Sequence, residues 1–277
     1  MGTGNEVVRM KSLVIASQKG GVGKTTVSLN LAYAFARAGY RTVLIDTDPQ
    51  GAIGLSLSKS LTTRLGLADC VAGEATVDDV LVATKVDGFS IIPVGTVAPI
   101  ETQSFGAAMA DGTRLRGLLD ALGSRFDLAL VDTPCGFGGI TAGALRACSH
   151  TVSPIQAEPI SLRSVTQLLE MVKALGAEGE VAGVVGFLLS MLQTDDEASL
   201  QVARDVWEMF PRELLFDVSV PRDGVFLEAT AAGVPVGLLR RPAPPVTHVF
   251  DLVASELARR MELDSARMVD GPQSLLD

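Results

Sequence analysis

The stretch Ser17-Gln18-Lys19-Gly20-Gly21-Val22-Gly23-Lys24-Thr25-Thr26 concentrates glycine, lysine and threonine in one short segment. Glycine lets a backbone curl tightly around an anion without a Cβ clash. Amides that point out of such a curl at the start of a helix favour phosphate oxygens, and the helix dipole adds to the attraction. Gly20, Gly21, Val22, Gly23, Lys24, Thr25 and Thr26 therefore form a candidate phosphate cradle, with Lys24 over the outer phosphates and the Thr25 hydroxyl on Mg²⁺. Two carboxylates, Asp46 and Asp132, close the apolar runs Thr42–Asp46 and Leu128–Asp132. Carboxylates at the carboxyl ends of parallel strands lie where an open α/β sheet places its ligands. Both would hold Mg²⁺ through its waters, because Mg²⁺ dehydrates reluctantly. Asp48 has two readings, a group that orients the attacking water or a turn residue before Pro49. Lys19 is a second cation at the mouth of the cradle, and a lysine on a loop tip is ordinarily solvated.

These residues need a scaffold that gathers strand ends along one edge, and the rest of the chain supplies its pattern. Leu13–Ser17, Thr42–Asp46, Phe89–Pro93, Leu128–Asp132, Thr151–Ile155 and Gly183–Ser190 read as strands, several of them continuous apolar runs as expected of strands covered on both faces. Lys24–Ala38 has Val27, Leu31, Phe35 and Ala38 at helical spacing and stops at Gly39. Arg114–Leu122, Ser161–Leu175, Glu197–Phe210 and His248–Met261 read as further helices, and Asp217–Pro221 as a last strand. This alternation predicts an α/β fold with a doubly wound, mostly parallel sheet and helices on both faces. With no internal repeat or linker-like tract, one domain over 11–262 is the simplest account, preceded by an extension over 1–10 and followed by a tail over 263–277.

The cradle does not follow the common G-x-x-x-x-G-K-[ST] spacing, because Gln18 occupies the place of its first glycine. What it has is K-G-G-x-G-K-T-T, the deviant form. The stretch resembles the ParA/MinD family of P-loop ATPases, and specifically its ParA branch. Leu44-Ile45-Asp46-Thr47-Asp48-Pro49-Gln50-Gly51 resembles that family's first switch segment, and Leu128–Val131 followed by Asp132-Thr133-Pro134 resembles its Walker B strand and second switch. Pro154-Ile155-Gln156, Val220-Pro221-Arg222, Leu227-Glu228-Ala229 and Gly233-Val234-Pro235-Val236 resemble further landmarks in family order. The resemblance implies a Mg²⁺-dependent ATP hydrolase that dimerises around two ATP molecules, with Lys19 reaching the partner subunit's nucleotide and Asp48 catalytic. It implies an adenine pocket near Met191, Pro221 and Arg222. It further implies a ParB-like or cargo-linked activator, and non-specific DNA as the matrix for partitioning or positioning DNA or a protein cargo. A MinD-like membrane-cycling regulator and a metabolic enzyme on the same loop are the alternatives.

Two departures from the family pattern stand out. Cys135 occupies the second proline position of the second switch, before Gly136-Phe137-Gly138-Gly139, and reads as a small loop residue. After the strand ending at Ser190, where partitioning relatives carry a basic residue, this chain has Gln193-Thr194-Asp195-Asp196-Glu197. Those acids repel DNA phosphates, and they also suit a helix N-terminus. Arg204, Arg212, Arg222, Arg240 and Arg241 are the remaining candidate DNA contacts. His150 and His248 are isolated and suggest neither metal binding nor acid–base catalysis.

Composition bounds the rest. The chain has 277 residues, is 47% hydrophobic and 20% charged, and carries a net charge of −9. That is ample for a core and unfavourable for general attraction to nucleic acid. Three cysteines without a CxxC pair suit a reducing cytosol. No signal-peptide pattern or long apolar run is present, and the acidic tail is unlike a basic membrane anchor, so a cytoplasmic protein without a membrane partner is expected, and the family resemblance adds nucleoid association.

Overall fold

A computed structural model describes residues 10–58, 61–158 and 161–263. Apart from Met10 and Leu263, the expected N-terminal extension and C-terminal tail lie outside the described residues. In chain order, strand β1 (Lys11–Ile15) leads into helix α1 (Lys24–Arg37) and strand β2 (Thr42–Asp46). Three short helices follow, α2 (Ala52–Leu57), α3 (Leu67–Ala72) and α4 (Val77–Val80), then strands β3 (Val82–Ala83) and β4 (Phe89–Ile92). Helices α5 (Thr102–Met109) and α6 (Thr113–Leu122) precede β5 (Leu128–Asp132), α7 (Gly139–Ala147), β6 (His150–Gln156) and α8 (Ser161–Gly176). The chain continues through β7 (Gly183–Leu192), α9 (Glu197–Met209), β8 (Val220–Pro221), α10 (Val225–Ala232) and α11 (Val246–Arg260).

The strands form one eight-stranded sheet in the order β3-β4-β2-β5-β1-β6-β7-β8. The antiparallel contact is the edge pair β3–β4; β4, β2, β5, β1, β6, β7 and β8 run parallel. Because side chains alternate across a strand, a strand covered on both faces must be apolar at every position. Val14, Val43, Ile45, Ala129 and Val131 pack on one face with Phe105, Leu115, Ile140, Leu168 and Val202 from the helices there. Leu13, Ile15, Leu44, Leu128 and Leu130 pack on the other with Leu31 and Phe35 of α1 and Phe250 and Leu257 of α11.

Two local features position the loops that matter. Helix α1 ends where Gly39, at φ 89°, turns the chain back toward β2. Helices α5 and α7 meet along glycines: a Cβ on Gly143 would fall 1.7 Å from the Met109 carbonyl oxygen, and one on Gly139 2.7 Å from that of Gly106. No side chain separates the two backbones there, which fixes α7 directly behind the loop that follows Asp132.

The predicted doubly wound sheet is observed. Strand β1 starts and ends two residues earlier than its apolar run suggests, because Lys11 and Ser12 pair in register with Leu128 and Ala129 of β5. Strand β8 is only Val220–Pro221, shorter at its amino end than the expected Asp217–Pro221, because pairing with β7 lapses between an isolated Phe187–Leu215 bridge and Val220. Helices α2 to α5, α7 and α10 were not in the sequence reading.

Candidate functional site

The loop from Ser17 to Gly23 joins β1 to α1 at the carboxyl edge of the sheet. Gly21 and Gly23 have φ of 75° and 88°, the left-handed region that glycine enters without penalty. Gly23 caps α1 and offers no side chain to its first-turn amides. Those amides, and the positive end of the helix dipole, face the loop's concavity, a ready anion site. Lys24 is only 7% exposed. Its ammonium lies 3.5 Å from the Lys19 carbonyl oxygen, the outer limit of a hydrogen bond. Burial lowers its pKa, and the nearby charges of Asp132, Cys135 and Asp48 oppose that shift. A buried cation with so weak an acceptor fits phosphate oxygens.

Asp46 and Asp132 are register partners on adjacent strands, and both are fully buried. The Asp132 carboxylate accepts hydrogen bonds from the Thr25 hydroxyl at 2.8 Å and the Ser28 hydroxyl at 2.7 Å. Burial pushes its pKa up to about 6 against those two bonds. Burial, and then the neighbouring charge of Asp132, raises Asp46 well above the usual carboxylate range, while the Asp48 and Ile53 amides that it accepts from pull the other way. Two buried carboxylates that disfavour joint ionisation, beside a threonine hydroxyl, make a hard oxygen set suited to a hydrated divalent cation. Among the described residues, no group of three or more His, Cys, Asp or Glu side chains could cage a metal. A cation here would be completed by water and phosphate oxygens, the usual state of Mg²⁺.

Asp48 accepts the Gln50 amide through Oδ1 at 2.9 Å, so one of its oxygens shapes the turn at Pro49. Lys19 turns away from Lys24. Its ammonium donates to Gln156 Oε1 at 3.0 Å and pairs with Glu158 Oε2 at 2.5 Å. Met191 has φ 56° at the end of β7, and its terminal methyl would lie 3.6 Å from a Cβ on Gly23. The Arg222 amide donates to the Leu192 carbonyl at 3.0 Å, which draws Pro221 and Arg222 alongside Met191. The structure thus gathers the predicted cradle, the paired aspartates and the expected base-pocket residues at one edge. Cys135 is exposed and packs on the loop, 3.8 Å from its Sγ to a Cβ on Gly20.

Several participants escaped the sequence reading. Ser28, one turn beyond Lys24, holds Asp132. Ser190 donates to the Val22 carbonyl at 2.9 Å, bracing the loop from β7. The Asn30 side chain accepts the Val236 amide at 2.9 Å, which ties α1 to the Gly233–Val236 landmark. Their polar side chains inside otherwise apolar helical or strand patterns were the available signal. Of the five arginines offered as DNA contacts, two are ion-paired: Arg204 with Glu197 at 2.7 Å and Arg240 with Glu228 at 3.3 Å. Both histidines are outside the site; Ser149 meets His150 Nδ1 at 2.8 Å at the amino end of β6, and His248 lies beside Asp251.

A glycine cradle before a helix, a buried lysine within it and carboxylates on the two neighbouring strand ends define the P-loop class of nucleotide site on a doubly wound sheet. Residues 10–180 match a protein family described as an AAA domain. The chromosome partitioning protein ParA of Caulobacter vibrioides is 35% identical over 82% of this chain and 86% of its own length. The sporulation initiation inhibitor protein Soj of Bacillus subtilis is 32% identical over 90% of this chain and 98% of its own. Among solved structures, an ATP complex of Cyanothece McdA has the same fold, with a TM-score of 0.78 at 20% identity over 90% of this chain and 96% of that one. The chain belongs to the ParA/MinD family of P-loop ATPases, on its ParA branch. Among the described residues, no helix is long and apolar enough to cross a membrane.

Proposed function

We propose that the chain is an ATP-dependent dimerising switch that partitions or positions DNA or a protein cargo. The observation that carries this reading is Lys24, a buried ammonium with one marginal acceptor, set at an uncapped helix N-terminus beside the Thr25–Asp132 hydrogen bond. In this reading the amides of residues 20–26 and Lys24 bind the ATP phosphates, and Met191, Pro221 and Arg222 border the base. Thr25, Asp46 and Asp132 hold Mg²⁺, which when bound neutralises charge on the outer phosphates. Asp48 orients the attacking water. Lys19 supplies a cation to the partner subunit's nucleotide, so hydrolysis waits on dimerisation. Charge placed against the transferring oxygens is the main catalytic device in phosphoryl transfer, which is why a lysine delivered in trans can act as a trigger. A ParB-like or cargo-linked partner then stimulates turnover and resets the switch.

The acids at 195–197 and the ion pairing of Arg204 and Arg240 weigh against DNA contact through those residues. ATP-dependent, salt-sensitive retention on non-specific DNA would assign DNA as the matrix through the remaining arginines, whichever cargo is carried. The switch itself is tested with Lys19→Gln, which should bind ATP yet lose dimer-dependent hydrolysis. Normal stimulated turnover in that variant would overturn the role of Lys19 in trans.

A further inference from the structure

Asp132 is gripped by the helix it faces. Its Oδ2 accepts the Thr25 hydroxyl at 2.8 Å and its Oδ1 the Ser28 hydroxyl at 2.7 Å. Residues three apart on a helix share a face, so α1 presents both donors side by side to the end of β5. Thr25 is a candidate metal ligand, whereas Ser28 has no assigned part in the chemistry. Ser28 is fully buried, so water is kept from replacing it. Its hydroxyl has one proton and two acceptors in reach, Asp132 Oδ1 and the Lys24 carbonyl oxygen at 2.9 Å. A serine inside a helix ordinarily directs that proton to the carbonyl one turn back. Here a carboxylate oxygen lies closer, and a charge-assisted hydrogen bond is about twice as strong as a neutral one.

The backbone of Asp132 is already fixed, because its register partners are Ile15 of β1 on one side and Asp46 of β2 on the other. What remains is rotation of the carboxylate about its own side-chain bonds. A single hydroxyl leaves it a pivot, whereas two hydroxyls, one on each oxygen, set its plane. We propose that Ser28 is a positioning residue that fixes the Asp132 carboxylate with Oδ2 held toward Thr25, and so prepares this edge for the divalent cation that accompanies ATP. This rests on the reading that Thr25 and Asp132 hold Mg²⁺. Ser28 acts through Asp132 alone. Its removal therefore weakens metal binding and leaves intact the hold on the phosphates, which comes from Lys24 and the amides of residues 20–26.

The test compares wild type, Ser28→Ala, Asp132→Asn and the double variant, each as the full chain. Calorimetric titration with a non-hydrolysable ATP analogue is run once at saturating Mg²⁺ and once in EDTA, and the ratio of the two affinities reports the metal's contribution. Ser28→Ala should lower that ratio by about 10-fold, the lower end of what losing a residue that orients a metal ligand does, with the affinity in EDTA unchanged. In the Asp132→Asn background, which lowers the ratio by itself, Ser28→Ala should change it no further, because the effect runs through one carboxylate. A purely structural serine would weaken both titrations together and leave the ratio where it was. An unchanged ratio in Ser28→Ala overturns the proposal, as does loss of binding in EDTA or an equal drop in the Asp132→Asn background. Those outcomes leave the metal reading standing wherever wild type still binds more tightly with Mg²⁺. A wild-type ratio near one overturns the metal reading, and the role of Ser28 with it.

Discussion

Replacing Asp132 with asparagine separates what this carboxylate costs the empty protein from what it contributes to the loaded one. An aspartate in an unfolded chain ionises near 3.8, and burial raises Asp132 to about 6 in the folded state. Well below pH 3.8 both states hold the proton and the group has no effect on stability. From about pH 4 to 6 the unfolded chain loses its proton first, so the folded state is progressively disfavoured. Above pH 6 the penalty is constant, and a two-unit shift corresponds to about 3 kcal/mol. Asparagine matches the shape, cannot ionise, and can be met by the Thr25 and Ser28 hydroxyls after they rotate. The empty variant should therefore be more stable than wild type at pH 7 by up to about 3 kcal/mol, with the difference falling to about 0.5 kcal/mol at pH 4. Thermal melts read this directly, since 1 kcal/mol moves the midpoint of a domain this large by about 2–4 °C. Adding Mg²⁺ and ATP should reverse the order, with wild type gaining a large upward shift and the variant little. A variant no more stable than wild type at pH 7, or a difference that does not vary between pH 4 and 7, would refute the burial argument.

Other substitutions probe separate parts of the fold and site. Lys24→Ala should lose nucleotide affinity outright, measured by titration calorimetry with ATP, because no other buried cation lies in the loop. Asp48→Ala should bind ATP and accumulate as a dimer on size exclusion, since it removes the residue assigned to the water; a monomer with wild-type turnover would reassign Asp48 to the turn it makes with Gln50. Arg260 pairs with Glu256 at nearly buried positions, donates to the Val185 and Glu213 carbonyls at 2.7 and 2.8 Å, and covers the Phe216 ring at 4.5 Å. Arg260→Ala strands that carboxylate and should cost about 3–5 kcal/mol in urea unfolding at pH 7.

The strands and long helices were readable because their patterns sum over many residues. The central strands carry long apolar runs such as Leu13–Ile15, Val43–Ile45 and Leu128–Val131, and α1 carries a full helical stripe from Val27 to Phe35. The short helices were not. Ala52–Leu57 and Val77–Val80 are too brief for a 3.6-residue period to accumulate, and tertiary packing holds them. The cradle and the paired aspartates were legible from residue type and position at strand ends. The partner of Lys19 was not, because Gln156 and Glu158 lie far along the sequence and meet the loop only through the adjacency of β1 and β6. Cys135, departing from the family pattern, could be read as a small loop residue, but its packing against Gly20 required the fold.

The strand order also dictates when the site can exist during synthesis. Strand β1 is made first, yet its neighbours in the sheet are β5 and β6, so its edges go unpaired by them until Leu128–Asp132 and then His150–Gln156 have been made. At about 5–20 residues per second the first of these arrives roughly 6–23 s after β1. The braces come later still: Ser190 must reach the Val22 carbonyl, and Val236 must reach Asn30. Nucleotide binding is thus unavailable to help fold the nascent chain through most of its production, and an apolar strand waits in the meantime. A ribosome-bound chain truncated before residue 190 should carry the whole glycine loop, the lysines and both aspartates, and still lack the support that gives them their geometry.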